Sequence, residues 1–281
     1  MSVQTDTLTQ FAARANDVPT LLSVPLEHDD GGETLVHIMV IPRSSFQLRV
    51  ALMPSAERLL HWCKRMDVRH AMSGGFFLRT AKQPLGETWM GGVRVESMPW
   101  GAHWADKRGA LFSDGNELKI ASLGEMPKKP RGDLITAGPA LLREGKMLVH
   151  PEAEFEGIPE TWEKELDDNW TKWRAARIAI GCDKRRIWAV ASDGPVTDPV
   201  WAEEVGVTSP DAGLYLWEMA QILQALGATE ALNLDGGGGA TLIYNKRLIN
   251  RPLAGKYDDT APGVTLPEGR PIHTALTFVP Q

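Results

Sequence analysis

The chain lacks most of the features that fix an address or a scaffold by themselves. Its 281 residues include only two cysteines, Cys63 and Cys182, too few for a disulfide framework. No apolar run approaches the length needed to cross a bilayer, so no membrane span is expected. The first thirty residues show no cationic start followed by an apolar core, and the expected location is the cytoplasm. Clustered positive charge is also scarce. The largest basic run is Lys184-Arg185-Arg186, within a net charge of −6 and a pI near 5.7, which argues against general nucleic-acid binding. Seven histidines form no H-x-x-x-H or H-x-H pair, and a zinc site is not expected. There is no Gly-Lys-Ser/Thr ending of a phosphate loop and no G-x-S-x-G nucleophile elbow.

What is present is enough apolar residue, 43%, for a sizeable core. The pattern reads as a single compact α+β domain, with mixed or antiparallel sheets and packed helices. Residues 1–33 form a segment leading in, and residues 34–281 form the domain. Thr34–Ile41 and Phe46–Met53 are β-rich runs joined by a turn. Ser55 is read as the cap of a helix over 56–66, and Asp211 as the cap of a helix ending at Gly227. Arg177–Cys182 and Ile187–Ser192 predict a hairpin, and a second is predicted over Asn245-Lys246. Trp162, Leu166, Trp170 and Trp173 recur at helical spacing, an indole face that packs on the body of the protein or joins subunits. Oligomeric state is left open by this reading.

The stretch Ala231–Tyr244 says most about function. A strand ends in Asp235, and Gly236, Gly237, Gly238 and Gly239 follow before a second apolar strand. Four consecutive glycines are costly in backbone entropy. They suit close approach of a ligand or another backbone, and their amides could form an anion-binding concavity. Strand alternation puts Asn233 and Asp235 on one face and Leu232 and Leu234 on the other. Arg177 opens a strand of small residues, and its planar fork suits phosphate or carboxylate. Asp193 closes another strand as an Asp-Gly turn. Glu218 falls on the polar face of a helix. Together Asp193, Glu218, Asn233 and Asp235 offer oxygen ligands of the kind calcium or magnesium takes, and no metal is assigned.

With those pieces in place, the chain resembles the phosphodiester glycosidase family from about Thr34 to Phe278. The carriers are Ser73-Gly-Gly-Phe-Phe77, Ala137-Gly-Pro-Ala-Leu-Leu142, Arg177-Ile-Ala-Ile-Gly181, Ser192-Asp-Gly194 and Gly213–Ala220. They continue with Leu226–Gly238, Asn250-Arg-Pro252 and Arg270-Pro271. Ser73 stands where the family usually has Asn, Gly239 where a Ser is common, and Thr274, preceded by His273, where the usual residue is Asn. The resemblance implies a hydrolase, of the kind found in bacterial members, that cleaves a sugar-1-phosphodiester similar to N-acetylglucosamine-1-phosphodiester.

The products implied are a free sugar and a phosphomonoester, and the partner is a small-molecule or glycan phosphodiester. No cofactor is required by that chemistry. In the implied mechanism Arg177 and the amides of Gly236–Gly239 hold the phosphoryl charge. Asp235 faces an oxocarbenium-like centre, with Glu218 and Asp193 as partner carboxylates. Ser73, Gly74, Gly75, Asn233, Thr241 and His273 are the expected substrate contacts. The competing readings are a metal-assisted phosphodiesterase and a non-catalytic binder of phosphoglycans.

Overall fold

The structure is a computed structural model and describes residues 5–13, 17–78, 83–101, 105–151, 173–195, 203–204, 206, 209–255 and 258–281. Its centre is a seven-stranded antiparallel sheet. In spatial order the strands are Thr20–Glu27, Glu33–Pro42, Arg186–Ser192, Ile178–Cys182, Glu230–Asn233, Ala140–Arg143 and Lys146–Met147. Both faces of this sheet are covered, which is why Val36–Ile41 reads as a nearly continuous apolar run. Val36, Ile38 and Val40 face one core with Trp188, Val190 and Ala231. Met39 and Ile41 face the other, with Ile178, Ile180, Leu232 and Leu234.

The first core is closed by two helices, α1 (Thr5–Ala13) and α3 (Leu216–Ala225), while α2 (Leu59–Arg65) lies elsewhere. Leu8 from α1 and Leu216, Met219, Ala220 and Leu223 from α3 supply the covering side chains. The second core is closed by two smaller five-stranded sheets. One is built around Phe46–Arg58, His70–Ser73 and Pro271–Pro280, and contributes Leu48, Val50, Met72, Leu276 and Phe278. The other is built around Gly109–Ser113 and Asp133–Thr136, and contributes Leu111 and Ile135. Leu232 and Leu234 are fully buried here, each contributing roughly 1.5–3 kcal/mol of transfer free energy.

The expectation of an α+β fold with packed helices is therefore corrected. Three α-helices of nine, seven and ten residues stand against nineteen strands among the described residues. The fold is mainly β, with antiparallel pairing throughout its named strands. Two misread helices show why. Residues 56–58 continue the strand from Phe46 because Glu57 and Arg58 pair with Ile272 and Pro271, and α2 begins only at Leu59. Asp211 is not a helix cap. Its carboxylate accepts from Leu35 N at 3.2 Å and pairs with Arg251, while α3 starts at Leu216 after Tyr215. The predicted indole stripe lies outside the described residues, Trp173 excepted.

The predicted hairpin is present as Ile178–Cys182 paired with Arg186–Ser192. Asn245 and Lys246 both take positive φ, 49° and 59°, in a two-residue connection between Leu242–Tyr244 and Arg247–Leu248. The segment before residue 34 adds a full strand to the central sheet, paired at eight positions from Thr20↔Val40 to Glu27↔Glu33.

Candidate active site

The glycine turn sits at one end of the central sheet. Asn233 pairs with Ala179, and the next residue, Leu234, still donates to Ile178 O at 2.9 Å. At Asp235 the chain leaves the ladder: its N–H donates to Gly74 O at 3.1 Å. Gly237 N then binds Ala176 O at 2.8 Å, and Gly237–Gly239 close a single 3₁₀ turn. Close approach of backbone requires glycine at Gly238, and at Gly239 the Asp235 side chain fills the place of a Cβ. A Cβ on Gly238 would lie 2.3 Å from Arg270 Nη2 and 2.7 Å from Leu253 O. A Cβ on Gly239 would lie 2.3 Å from Asp235 Oδ2, so the half-buried carboxylate of Asp235 rests directly over that position.

Ser73 holds the turn from below. Its hydroxyl donates to Gly239 O at 2.5 Å and accepts from Thr241 N at 2.8 Å. Thr241 Oγ1 also donates to Gly239 O, at 3.1 Å. Both hydroxyls are buried and committed to backbone. The carbonyls of Gly236, Gly237 and Gly239 are thus occupied, and the amides of the turn are less so. Gly236 N and Gly238 N find no partner among the described residues, and neither does Gly75 N in the adjoining Gly-Gly pair. Amides left without acceptors beside a cation form an anion cradle. The cation nearest Gly238 is Arg270, whose Nε binds Asp258 at 2.8 and 3.2 Å and whose Nη2 also pairs with Asp258.

Asn233 completes this end of the sheet. Its backbone bonds to Gly138 N at 2.9 Å and Pro139 O at 3.0 Å, and its Nδ2 donates to Gly138 O at 2.8 Å. The residue is 3% exposed. Its Oδ1 is buried with no hydrogen-bond partner among the described residues.

Arg177 adjoins the turn through its backbone but directs its side chain inward. It is 3% exposed, with Nε donating to Leu214 O at 3.1 Å and Nη2 to Trp173 O at 3.0 Å. Burial pushes its guanidinium down to about 10, so it is still a cation at neutral pH. The small residues that follow Arg177 do not leave open space at Gly181. Gly181 is covered by Leu223 of α3 and by Ala228, at 2.9 and 3.0 Å from an added Cβ.

The other carboxylates named from sequence are engaged by partners outside the turn. Glu218 is fully buried and receives Arg174 through both oxygens, at 3.0 and 3.2 Å. It also accepts from Tyr215 N at 2.9 Å, closing the first turn of α3, and lies 3.3 Å from His28 Nδ1. Asp193 accepts from Arg251 N at 2.6 Å and lies 3.4 Å from His37 Nε2. His273 packs edge-on against Phe77 at 5.3 Å, and burial lowers its pKa, opposed in part by a hydrogen bond with the Met53 backbone. Asp193, Glu218 and Asp235 do not gather into a metal-holding group among the described residues. The structure therefore brings together Asp235, the glycine turn, Ser73, Gly74, Gly75, Thr241 and Asn233. Arg270 joins them, and sequence had marked it only as part of an Arg-Pro pair.

Comparison with known proteins bears on the family and the fold. A family model described as phosphodiester glycosidase matches residues 66–279. The bovine N-acetylglucosamine-1-phosphodiester alpha-N-acetylglucosaminidase is 28% identical over 185 residues, 65% of this chain and 32% of that protein. The human enzyme of the same name is 28% identical over 189 residues, 66% of this chain and 34% of that protein. The chain thus spans about a third of the length of these curated relatives. Among solved structures, the catalytic domain of the zebrafish enzyme, auto-inhibited by its pro-peptide, superposes with a TM-score of 0.67 at 21% identity. That match covers 94% of this chain and 84% of that one. A hypothetical protein from Synechocystis gives 0.58 at 18% identity, covering 95% and 63%. These structural likenesses concern the fold.

Proposed function

The chain belongs to the phosphodiester glycosidase family, and on that premise we propose that it hydrolyses sugar-1-phosphodiesters at the glycine turn, releasing free sugar and a phosphomonoester. The observation that carries the reading is the half-buried carboxylate of Asp235 lying over Gly239, beside the unengaged amides of Gly236 and Gly238.

In the proposed reaction the two halves of the substrate make different demands. The departing phosphomonoester has a second pKa of about 6, so it leaves without strong general-acid help. Its charge must still be held as the C1–O bond breaks, and preorganised donors do this best. The amides of Gly236 and Gly238 and the Arg270 guanidinium take that role. Asp235 faces the anomeric carbon, where it stabilises positive charge and either activates water or attacks directly. Glu218 and Asp193 position their surroundings, because their oxygens are already held by Arg174, Tyr215 N, Arg251 N and His37. N-acetylglucosamine is the first sugar to try, since the curated relatives are named for it.

Hydrolysis of an N-acetylglucosamine-1-phosphodiester in oxygen-18 water, with a chelator present, tests the reading. Label appearing in the released sugar supports cleavage at C1–O without an added metal. Label in the phosphate, or turnover that stops with the chelator, supports a metal-assisted phosphodiesterase instead.

A further inference from the structure

One neutral side-chain atom at this end of the sheet is opposite in chemical sense to the unpaired amides of the glycine turn. The amides of Gly75, Gly236 and Gly238 are donors in want of acceptors, whereas Asn233 Oδ1 is an acceptor in want of a donor. The orientation of the Asn233 amide is settled by its own bonding, since Nδ2 donates to Gly138 O at 2.8 Å. Two backbone bonds to Gly138 and Pro139 pin the residue further. It cannot turn to offer its N–H₂ without breaking that bond. A buried neutral acceptor left unpaired costs about 1–3 kcal/mol, and native proteins rarely leave one so.

We infer that Asn233 Oδ1 is the sugar-reading atom of the site, accepting a hydrogen bond from a hydroxyl or acetamido N–H of the sugar, and that it thereby sets the direction in which the diester lies. The assignment rests on the proposed reaction. A phosphodiester carries only acceptor oxygens at neutral pH, so a fixed acceptor repels it and unpaired amides attract it. Asn233 is bound to the Gly138–Pro139 side, where the strand Ala140–Arg143 begins. Gly238 lies against Arg270 and Leu253. Asp235 stands between them in the chain. The sugar therefore lies toward Gly138 and the phosphoryl group toward Arg270, with the anomeric carbon at the carboxylate. Sugars that lack the recognised donor are rejected because Oδ1 is then stranded again.

The test uses the full chain labelled with nitrogen-15 and two half-substrates, N-acetylglucosamine and inorganic phosphate, added separately. The sugar is expected to shift the Asn233 side-chain amide signals and phosphate the backbone amides of Gly236 and Gly238. A sugar that leaves the Asn233 signals unmoved up to its solubility limit overturns the inference, as does phosphate that moves them. Monodeoxy and 2-hydroxy sugar phosphodiesters then identify the donor. One change should lower kcat/KM by roughly 10- to 100-fold, and that loss should vanish in Asn233→Leu. Equal discrimination in both proteins means that a water, not the sugar, satisfies Oδ1, and overturns the inference. Because the half-substrate titration needs no turnover and no variant, its outcome is separate from whether the diester is hydrolysed.

Discussion

The two ends of the central sheet are closed by turns of opposite character. At the distal end the strand Ile178–Cys182 passes into Asp183–Arg186, and one aspartate satisfies the turn. Asp183 Oδ1 accepts from Arg185 N at 2.7 Å and Arg186 N at 2.6 Å, and Oδ2 holds the Arg186 guanidinium at 3.0 and 3.2 Å. Thr229 caps Cys182 O, and Arg43 binds Asp183 O. A cavity of about 910 Å³ lies here, lined by Arg43, Gln47, Asn116, Lys184, Arg185 and Gly227 among others. The glycine-turn end shows the reverse, with donors and an acceptor left unmatched. The distal turn is thus satisfied beside a cavity, and the glycine turn keeps unmet hydrogen-bonding capacity. Catalysis draws on preorganised, unspent polar groups more than on volume, which is why the proposed reaction is assigned to the glycine turn.

The largest expected effect comes from Asp235→Asn, which keeps the shape of the side chain and removes its charge. Turnover should fall roughly 10²- to 10⁴-fold, while the melting temperature moves little. A D235N protein that retains wild-type kcat would move the chemistry away from this end and break the comparison.

Much of the distal end was legible in the sequence, and much of the site was not. The Asp183 turn could be read because its bonds are local, spanning two or three residues, between strands of clear alternation. The Asn245-Lys246 connection was readable for the same reason. By contrast, Glu57 and Arg58 are strand only because Ile272 and Pro271 pair with them from the far end of the chain. Local propensity pointed to helix, and tertiary pairing overrode it. Glu218 carried a visible polar spacing, but its commitment to Arg174 and Tyr215 N is set by the fold. Asp235 and the four glycines announced themselves by composition. Arg270 did not, since a long stretch of loop and strand separates it from Gly238 in the chain. Nor could any spacing rule reveal that Asn233 would end with one oxygen unpaired.

A second expected effect separates stability from activity. His70 opens the strand whose other end, Ser73, braces the glycine turn. It is 5% exposed, packed between Phe46 and Tyr244, and burial lowers its pKa to about 4. An unfolded histidine titrates near 6.5. Between those values the unfolded chain binds more protons, so stability falls as pH drops from about 6.5 toward 4. The full loss is on the order of 3 kcal/mol. His70→Phe should flatten the dependence of melting temperature on pH across that window, leaving the pH profile of kcat in the folded protein unchanged. A shifted kcat profile would show that protonation at the far end of the strand reaches the turn.

The smallest effect is expected at the distal cavity. Lys184 and Arg185 are exposed there, and charge reversal of exposed side chains away from such features usually changes stability by no more than about 0.5 kcal/mol. The five residues of Ile178–Cys182 put roughly 17 Å between the two ends, about twice the screening length of about 8 Å at physiological ionic strength. The double variant K184E/R185E should therefore keep kcat/KM within about twofold at about 0.15 M salt. At low salt the added negative charge should slow capture of an anionic diester somewhat, because steering is then less screened. A loss that persists undiminished at physiological salt would instead mean that the diester, or its aglycone, reaches the distal cavity. In that case volume and chemistry would belong to one extended site, and the division between the two ends would fail.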